Sequence, residues 1–150
     1  GRHDQTTHAS KIYEENLHIP CVFINPAFKS ERRTGLGGMI DIAPTIMTTL
    51  GYEPAEKWQG ESFFSNSENK RTYFFCPWSD YLFGYREGNK KYIFNATKNT
   101  TEIYDLEKDP YETTNIVTSE EEKLCHQKLA AWVQYQDRYM KSAISASVKK

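Results

Sequence analysis

The side chains best suited to proton transfer, metal ligation or anion binding crowd the start of the chain: His3, Asp4, His8, Glu14 and Glu15, in GRHDQTTHASKIYEENL. An imidazole can ligate a metal, donate a hydrogen bond or protonate a leaving oxygen near neutral pH. His3 and His8 stand five apart in a stretch without helical pattern, so they do not form the i, i+4 pair of a helical metal motif. Loops carry function but also merely connect, and the residues alone leave both roles open for His8. His3 is read as a brace for the loop and Lys11 as a surface side chain lying along its stem. Glu14 and Glu15 are adjacent, and neighbours on an extended chain point to opposite sides. They therefore do not flank one scissile bond, and their expected role is to order the segment. In PWSDY, Trp78 has two readings, an exposed platform for a sugar or lipid headgroup or part of a buried aromatic corner. The buried corner is the expectation.

These residues need elements to position them. IPCVFINP, residues 19–26, is apolar on both faces and bounded by prolines, as in a strand covered on two sides within a parallel sheet. A basic, glycine-containing loop follows. Then Asp41 is placed to cap a helix with Pro44 in its first turn, Ile42, Ile46, Met47 and Leu50 on one face, and Gly51 as its stop. Strand, loop and short helix make an α/β pattern. The polar stretch at residues 65–69 reads as a boundary between residues 1–64, the end of a mixed α/β sheet, and residues 65–150.

Beyond that boundary RTYFFCPW, YLFGYRE, KKYIFNA and TEIYDL are strand candidates separated by turn signals, and they predict a four-stranded antiparallel meander. A long helix closes the chain. Ser119 and Glu122 form its expected capping box, and Cys125, Leu129, Trp132, Val133, Gln136 and Met140 its apolar stripe toward the sheet.

Composition narrows the function classes. Nineteen basic and twenty acidic residues are interspersed to a net charge of −1, which offers no one-signed field for a nucleic acid or an anionic membrane. No apolar run approaches the roughly 20 residues of a membrane span. Cys21, Cys76 and Cys125 lack metal spacing and read as buried thiols. Asn95 and Asn99 each begin an Asn-x-Thr sequon, meaningful only in a eukaryotic secretory protein.

Several motifs, taken in order, resemble the sulfatase family of the alkaline phosphatase superfamily. Tyr13, Glu14 and Glu15 precede a core-strand candidate ending near a proline, then come Asp41, Pro44 and Thr45, then Gly60, Glu61 and Ser62. Further on, Tyr104, Asp105, Leu106, Asp109, Pro110, Glu112 and Asn115 stand at the places of the family's late strand and turn. The match runs over nearly the whole chain and is similar to the carboxy-terminal portion of such an enzyme. The fold class it implies is α/β, with the end of a mixed sheet followed by the antiparallel subdomain under its long helix.

The resemblance also implies a site. Family members place a basic residue shortly before the Tyr-Glu-Glu stretch to contact the transferring group, commonly a lysine four before the tyrosine in sulfatases and often a histidine five before it in phospho-handling relatives. Here Ala9 and His8 occupy those positions, which makes His8 the catalytic and substrate-binding candidate and opens phosphate esters beside sulfate esters. Trp78 is the second substrate-binding candidate. Neither Cys21 nor Cys76 stands in the Cys-x-Pro-x-Arg context of the family nucleophile. Nucleophile and metal ligands are expected before Gly1. The cofactor would be a divalent metal, calcium for a sulfatase and zinc or manganese for a phospho-specific relative, held by none of the residues of this chain.

The implied function is metal-dependent hydrolysis of sulfate or phosphate esters on a small-molecule, glycan or lipid substrate, with this chain inactive alone and the whole enzyme extracytoplasmic. The alternatives are part of a membrane-anchored phosphoglycerol or phosphoethanolamine transferase, or a non-catalytic glycan- or protein-binding module. Residues 1 to about 16 are expected to be poorly ordered or displaced in this piece, since the rest of their site is missing.

Overall fold

The structure is a computed structural model that describes His3, residues 10–65 and residues 70–148, with side chains as far as Ile144. Among these residues a single sheet dominates. It contains β1 (Arg71–Cys76), β2 (Leu82–Glu87), β3 (Lys90–Asn95) and β4 (Thr100–Asp105) in the order β1-β2-β3-β4, every pair antiparallel. This is the expected meander. Gly88 opens the two-residue β2–β3 turn at φ 58°, a left-handed conformation that glycine adopts without steric cost. Gly84 answers a different need. A Cβ there would stand 2.2 Å from the Phe74 ring and 2.7 Å from the Tyr92 carbonyl oxygen, so its bare backbone lets the Phe74 ring lie across the sheet.

Alternation along the strands makes two apolar faces. On one face Cys76, Leu82, Ile93 and Tyr104 bury Ile12 and Tyr13 from the start of the chain. On the other Tyr85, Tyr92 and Ile103 meet Cys125 and Leu129 of the long helix, which we call α3 (Ser119–Val148). Tyr85 and Tyr92 stack with ring centroids 4.4 Å apart, and Trp132 lies flat on Tyr73 at 4.9 Å.

The N-cap of α3 is shifted from its expected place. Thr118 Oγ1 accepts the Glu121 N–H at 3.2 Å and donates to Glu121 Oε2, so the cap is Thr118 with Glu121 rather than Ser119 with Glu122. Both pairs fit the Ser/Thr-x-x-Glu pattern, and Lys90 favours the former by binding Glu121 at 2.6 Å. The stripe also ends early. Val133 and Met140 are exposed, because the helix runs past the sheet and meets the 57–59 loop through polar contacts instead. Gln136 pairs with Gln59, and the Tyr139 hydroxyl donates to the Lys57 carbonyl at 2.6 Å.

The first half differs more from expectation. Residues 19–26 pair with no strand among the described residues, and Ile19, Val22 and Ile24 are exposed. A strand covered on both sides needs a neighbour on each edge, and the described residues offer none. Among the described residues Phe23 anchors the segment, with ring contacts to Phe63 and Phe64. Cys21, expected to be buried, is exposed with it, whereas Cys76 and Cys125 are buried.

The predicted short helix exists as a 3-10 turn, Met39–Asp41, leading into α2 (Ile42–Thr49). It ends as expected: Gly51 turns left-handed at φ 80°, Tyr52 N–H donates to Met47 O, and Gly51 N–H donates to Thr48 O. Its inward face is another one, however. Asp41, Pro44 and Thr45 are buried while Ile46 and Leu50 are exposed. Asp41 does not cap α2 with its side chain. Its carboxylate instead accepts the Gly38 and Glu61 N–H groups, each at 2.8 Å, and pairs with Lys70 at 2.8 Å. The boundary stretch is described only at Ser65, because residues 66–69 lie outside the described residues.

Candidate functional site

His8, the leading candidate, lies outside the described residues, as do residues 1, 2, 4–7 and 9. The described residues nearest to it on either side, His3 and residues 10–13, make contacts with the rest of the fold. Ile12 and Tyr13 are buried, so the expected displacement of residues 1 to about 16 does not extend to residues 10–16. His3 stacks on the Tyr13 ring at 3.8 Å, its Nδ1 is 3.2 Å from Glu15 Oε1, and its Nε2 is 3.0 Å from the Glu112 carbonyl oxygen. His3 therefore braces this part of the chain.

Glu14 and Glu15 lie on a helical turn, α1 (Glu14–Leu17), rather than on extended chain. A four-residue helix has too little of its own hydrogen bonding to persist unaided. Its support comes from outside. Glu14 accepts Arg86 Nη1 and Lys91 Nζ, both at 3.1 Å, and its backbone N–H donates to Glu112 Oε2 at 2.6 Å. Glu15 turns to His3, so the two carboxylates do not converge, and they order the segment as expected.

Lys91 is the centre of this cluster and is fully buried. Besides Glu14, its Nζ lies 2.8 Å from Glu112 Oε1, an ion pair whose angles fall outside hydrogen-bond geometry, and 5.4 Å from the Phe74 ring centroid. Burial raises the Glu112 carboxyl above its ordinary range, and Lys91 partly offsets that. Glu112 also holds a left-handed backbone at φ 56°, a conformation costing a non-glycine residue about 1–2 kcal/mol. The turn before it is tied by Asp109, whose carboxylate accepts the Thr113 and Thr114 N–H groups at 2.8 Å. Beside the cluster, the Tyr13 and Tyr104 hydroxyls both donate to Glu102 Oε2, at 2.8 and 2.6 Å. Burial, then the hydrogen bond to Glu102, raises both phenols and keeps them donors.

Sequence reasoning missed Lys91 and Arg86, and it carried Glu112 only as a matching position. The available signal was a lysine at an inward position of β3, on the same face as Ile93, since an inward lysine requires a buried partner.

Trp78 is exposed, which overturns the buried-corner reading. Its loop is held by polar bonds rather than by packing. Asp80 N–H donates to the Trp78 carbonyl, and the Asp80 carboxylate accepts Asn95 Nδ2 at 2.8 Å and pairs with Lys98 at 2.9 Å. These bonds bury Asn95, the first sequon asparagine. Tyr81, at the end of the same loop, is also exposed.

A metal would need several converging donors, and no group of three or more His, Cys, Asp or Glu among the described residues is placed to hold one. No helix among them is long and apolar enough to cross a membrane.

Residues 7–138 match the family model described as "N-sulphoglucosamine sulphohydrolase, C-terminal". The chain belongs to this family. Its motifs thus place it as a carboxy-terminal portion of the sulfatase type. No curated protein sequence matches it. Among solved structures it is similar to a 2-O GAG sulfatase, at 20% identity and TM-score 0.47 over 70% of this chain and 26% of that one. It is similar also to a protein of Bacteroides thetaiotaomicron described as a sulfatase, at 20% identity and TM-score 0.47 over 70% and 25% of the two chains. A third, solved in complex with its substrate D-glucosamine-2-N,6-O-disulfate, gives 19% identity and TM-score 0.45 over 68% and 24%. The chain spans about a quarter of the length of these structures.

Proposed function

We propose that this chain is the carboxy-terminal part of a hydrolase that removes sulfate from a sulfated aminosugar, and that it is inactive alone. The observation that carries this reading is the family match over residues 7–138, whose namesake acts on N-sulphoglucosamine. The substrate named for one similar structure, a disulfated glucosamine, supports the same class.

Within that enzyme His8 donates a hydrogen bond to the transferring sulfuryl group or protonates the leaving atom, nitrogen for an N-sulfate and oxygen for an O-sulfate, a role that favours the transition state over the ground state. Exposed Trp78 offers a flat apolar face to a sugar ring. A divalent metal would supply Lewis-acid stabilisation of the sulfuryl oxygens. The described residues of this chain do not fit as its ligands, and the roles of His8 and Trp78 stand apart from it.

The test uses the whole enzyme, assayed at steady state on N- and O-sulfated glucosamine and on matched aryl sulfate and aryl phosphate esters. His8→Ala should lower kcat by about 10²- to 10³-fold, the usual loss for one donor to a developing charge. Trp78→Ala should raise KM on the sugar with kcat nearly unchanged. A His8 variant as fast as wild type removes it from the mechanism, and preference for the phosphate ester overturns the sulfate reading.

A further inference from the structure

The Lys91 cluster needs a reason to exist. A buried ion group is seldom the most stable way to fill its volume, since well-packed apolar residues usually do as well or better. What such a group does supply is orientation, because each charge must find its partner. Here the partners come from four separate parts of the chain. Glu14 belongs to α1, Arg86 to β2, Lys91 to β3 and Glu112 to the turn after β4. Two carboxylates face two cations, so the group is charge-balanced only when α1 is seated. Glu112 keeps a strained left-handed backbone at this place, and strain of that kind persists where the surroundings demand a particular geometry. The same residue holds His3 through its carbonyl oxygen and α1 through its carboxylate, on the two sequence sides of the stretch that contains His8.

We infer that Lys91, with Glu14 and Glu112, is a positioning clamp that seats His3 and the Tyr13–Leu17 turn on the sheet and so sets the geometry of the enzyme's reactive segment. Lys91 touches no substrate in this reading. It acts through Glu14 and Glu112, and the inference rests on the hydrolase function proposed above.

The experiment compares Lys91→Met, Glu112→Gln and the double variant with wild type in the whole enzyme. It reads kcat and KM on sulfated glucosamine, and amide hydrogen exchange by peptide. Lys91→Met leaves Glu14 and Glu112 without their shared cation, and a small misplacement of a reacting group costs about 10²-fold in rate. The expected result is a kcat lowered by about that factor with KM within about twofold of wild type. Exchange should quicken at the Glu14 N–H, which bonds to Glu112 Oε2, and at residues 16–18, whose N–H groups bond to the Tyr13 and Glu14 carbonyls, while β2 to β4 stay protected.

Adding Glu112→Gln to Lys91→Met removes the uncompensated charge and should recover most of the lost kcat, which a merely weakened fold would not do. Where Lys91→Met fails to accumulate folded, Glu112→Gln alone carries the test, because it keeps the size and one oxygen acceptor for the Glu14 N–H. A Lys91 variant that melts lower yet keeps wild-type kcat and wild-type exchange at residues 14–18 overturns the clamp. A wild-type enzyme silent on every sulfated sugar refutes the proposed function instead, and the exchange result then decides the clamp by itself.

Discussion

Replacing Asp41 by alanine tests whether one buried carboxylate holds the 59–63 loop to α2. Its side chain is 2% exposed and takes three donors: the Gly38 N–H, the Glu61 N–H and the Lys70 ammonium. Counted singly at about 1.5–3 kcal/mol for each hydrogen bond to a charged group, the loss would be excessive. Breaking one buried ion pair costs about 3–5 kcal/mol, and the surroundings favour the lower end. A cavity of about 190 Å³ lined by Ile40, Asp41, Glu61 and Lys70 has room for water, which can take over part of the bonding. The expected cost is therefore about 3 kcal/mol, a loss of roughly 10²-fold in amide protection at Glu61. Phe63 should lose less, since its N–H bonds to Thr45 Oγ1, and Thr45 Oγ1 donates to the backbone carbonyl of residue 41, which alanine retains. Hydrogen exchange followed by NMR on the purified chain measures this directly. Unchanged protection at Glu61 in Asp41→Ala would refute the reasoning, and α2 would then owe its place to Pro44 and its apolar neighbours.

Other outcomes follow from the packing. Leu129→Ala, at a position 3% exposed between α3 and the sheet, should cost about 2–4 kcal/mol. In a chain of this length that corresponds to a fall in Tm of roughly 4–16 °C in a thermal scan, and a change under 2 °C would place α3 off the sheet. Burial pushes the Cys125 thiol up to about 12, with Glu122 adding to the shift. A thiol-specific chromogenic reagent should therefore label Cys21 quickly and reach Cys76 and Cys125 only on unfolding. Because the Cys125 thiol is raised in the folded state, its contribution to stability is complete below the unfolded value of about 8.5. That contribution is lost as pH rises toward about 12, and Cys125→Ala should flatten the alkaline limb of a denaturation series.

Local chemistry alone specifies a good part of this protein. Alternating aromatic runs and their turn residues specify the meander, since strand period and turn preference are properties of a few adjacent residues. Gly51 specifies the end of α2 in the same way, through a backbone conformation that only a residue lacking Cβ adopts freely. The ordered motifs around Tyr13, Asp41 and Glu112 pointed to the sulfatase type. Which residues meet across the fold was not legible, because that depends on separations the chain closes only on folding. Thr118 and Ser119 offered equally good caps, and Lys90, thirty-one residues from Glu121, favours the choice observed. Apolarity at Ile46, Val133 and Met140 suggested burial, yet the neighbouring element decides which side of a helix is covered, and it covers Thr45 and leaves those three exposed. Lys91, one charged residue in an aromatic strand, becomes the centre of a cluster only when the turn at Glu112 and the turn at Glu14 close over it. A buried charge is tolerable only beside its partners, and those partners lie 21 and 77 residues away in sequence, brought together by the tertiary structure alone.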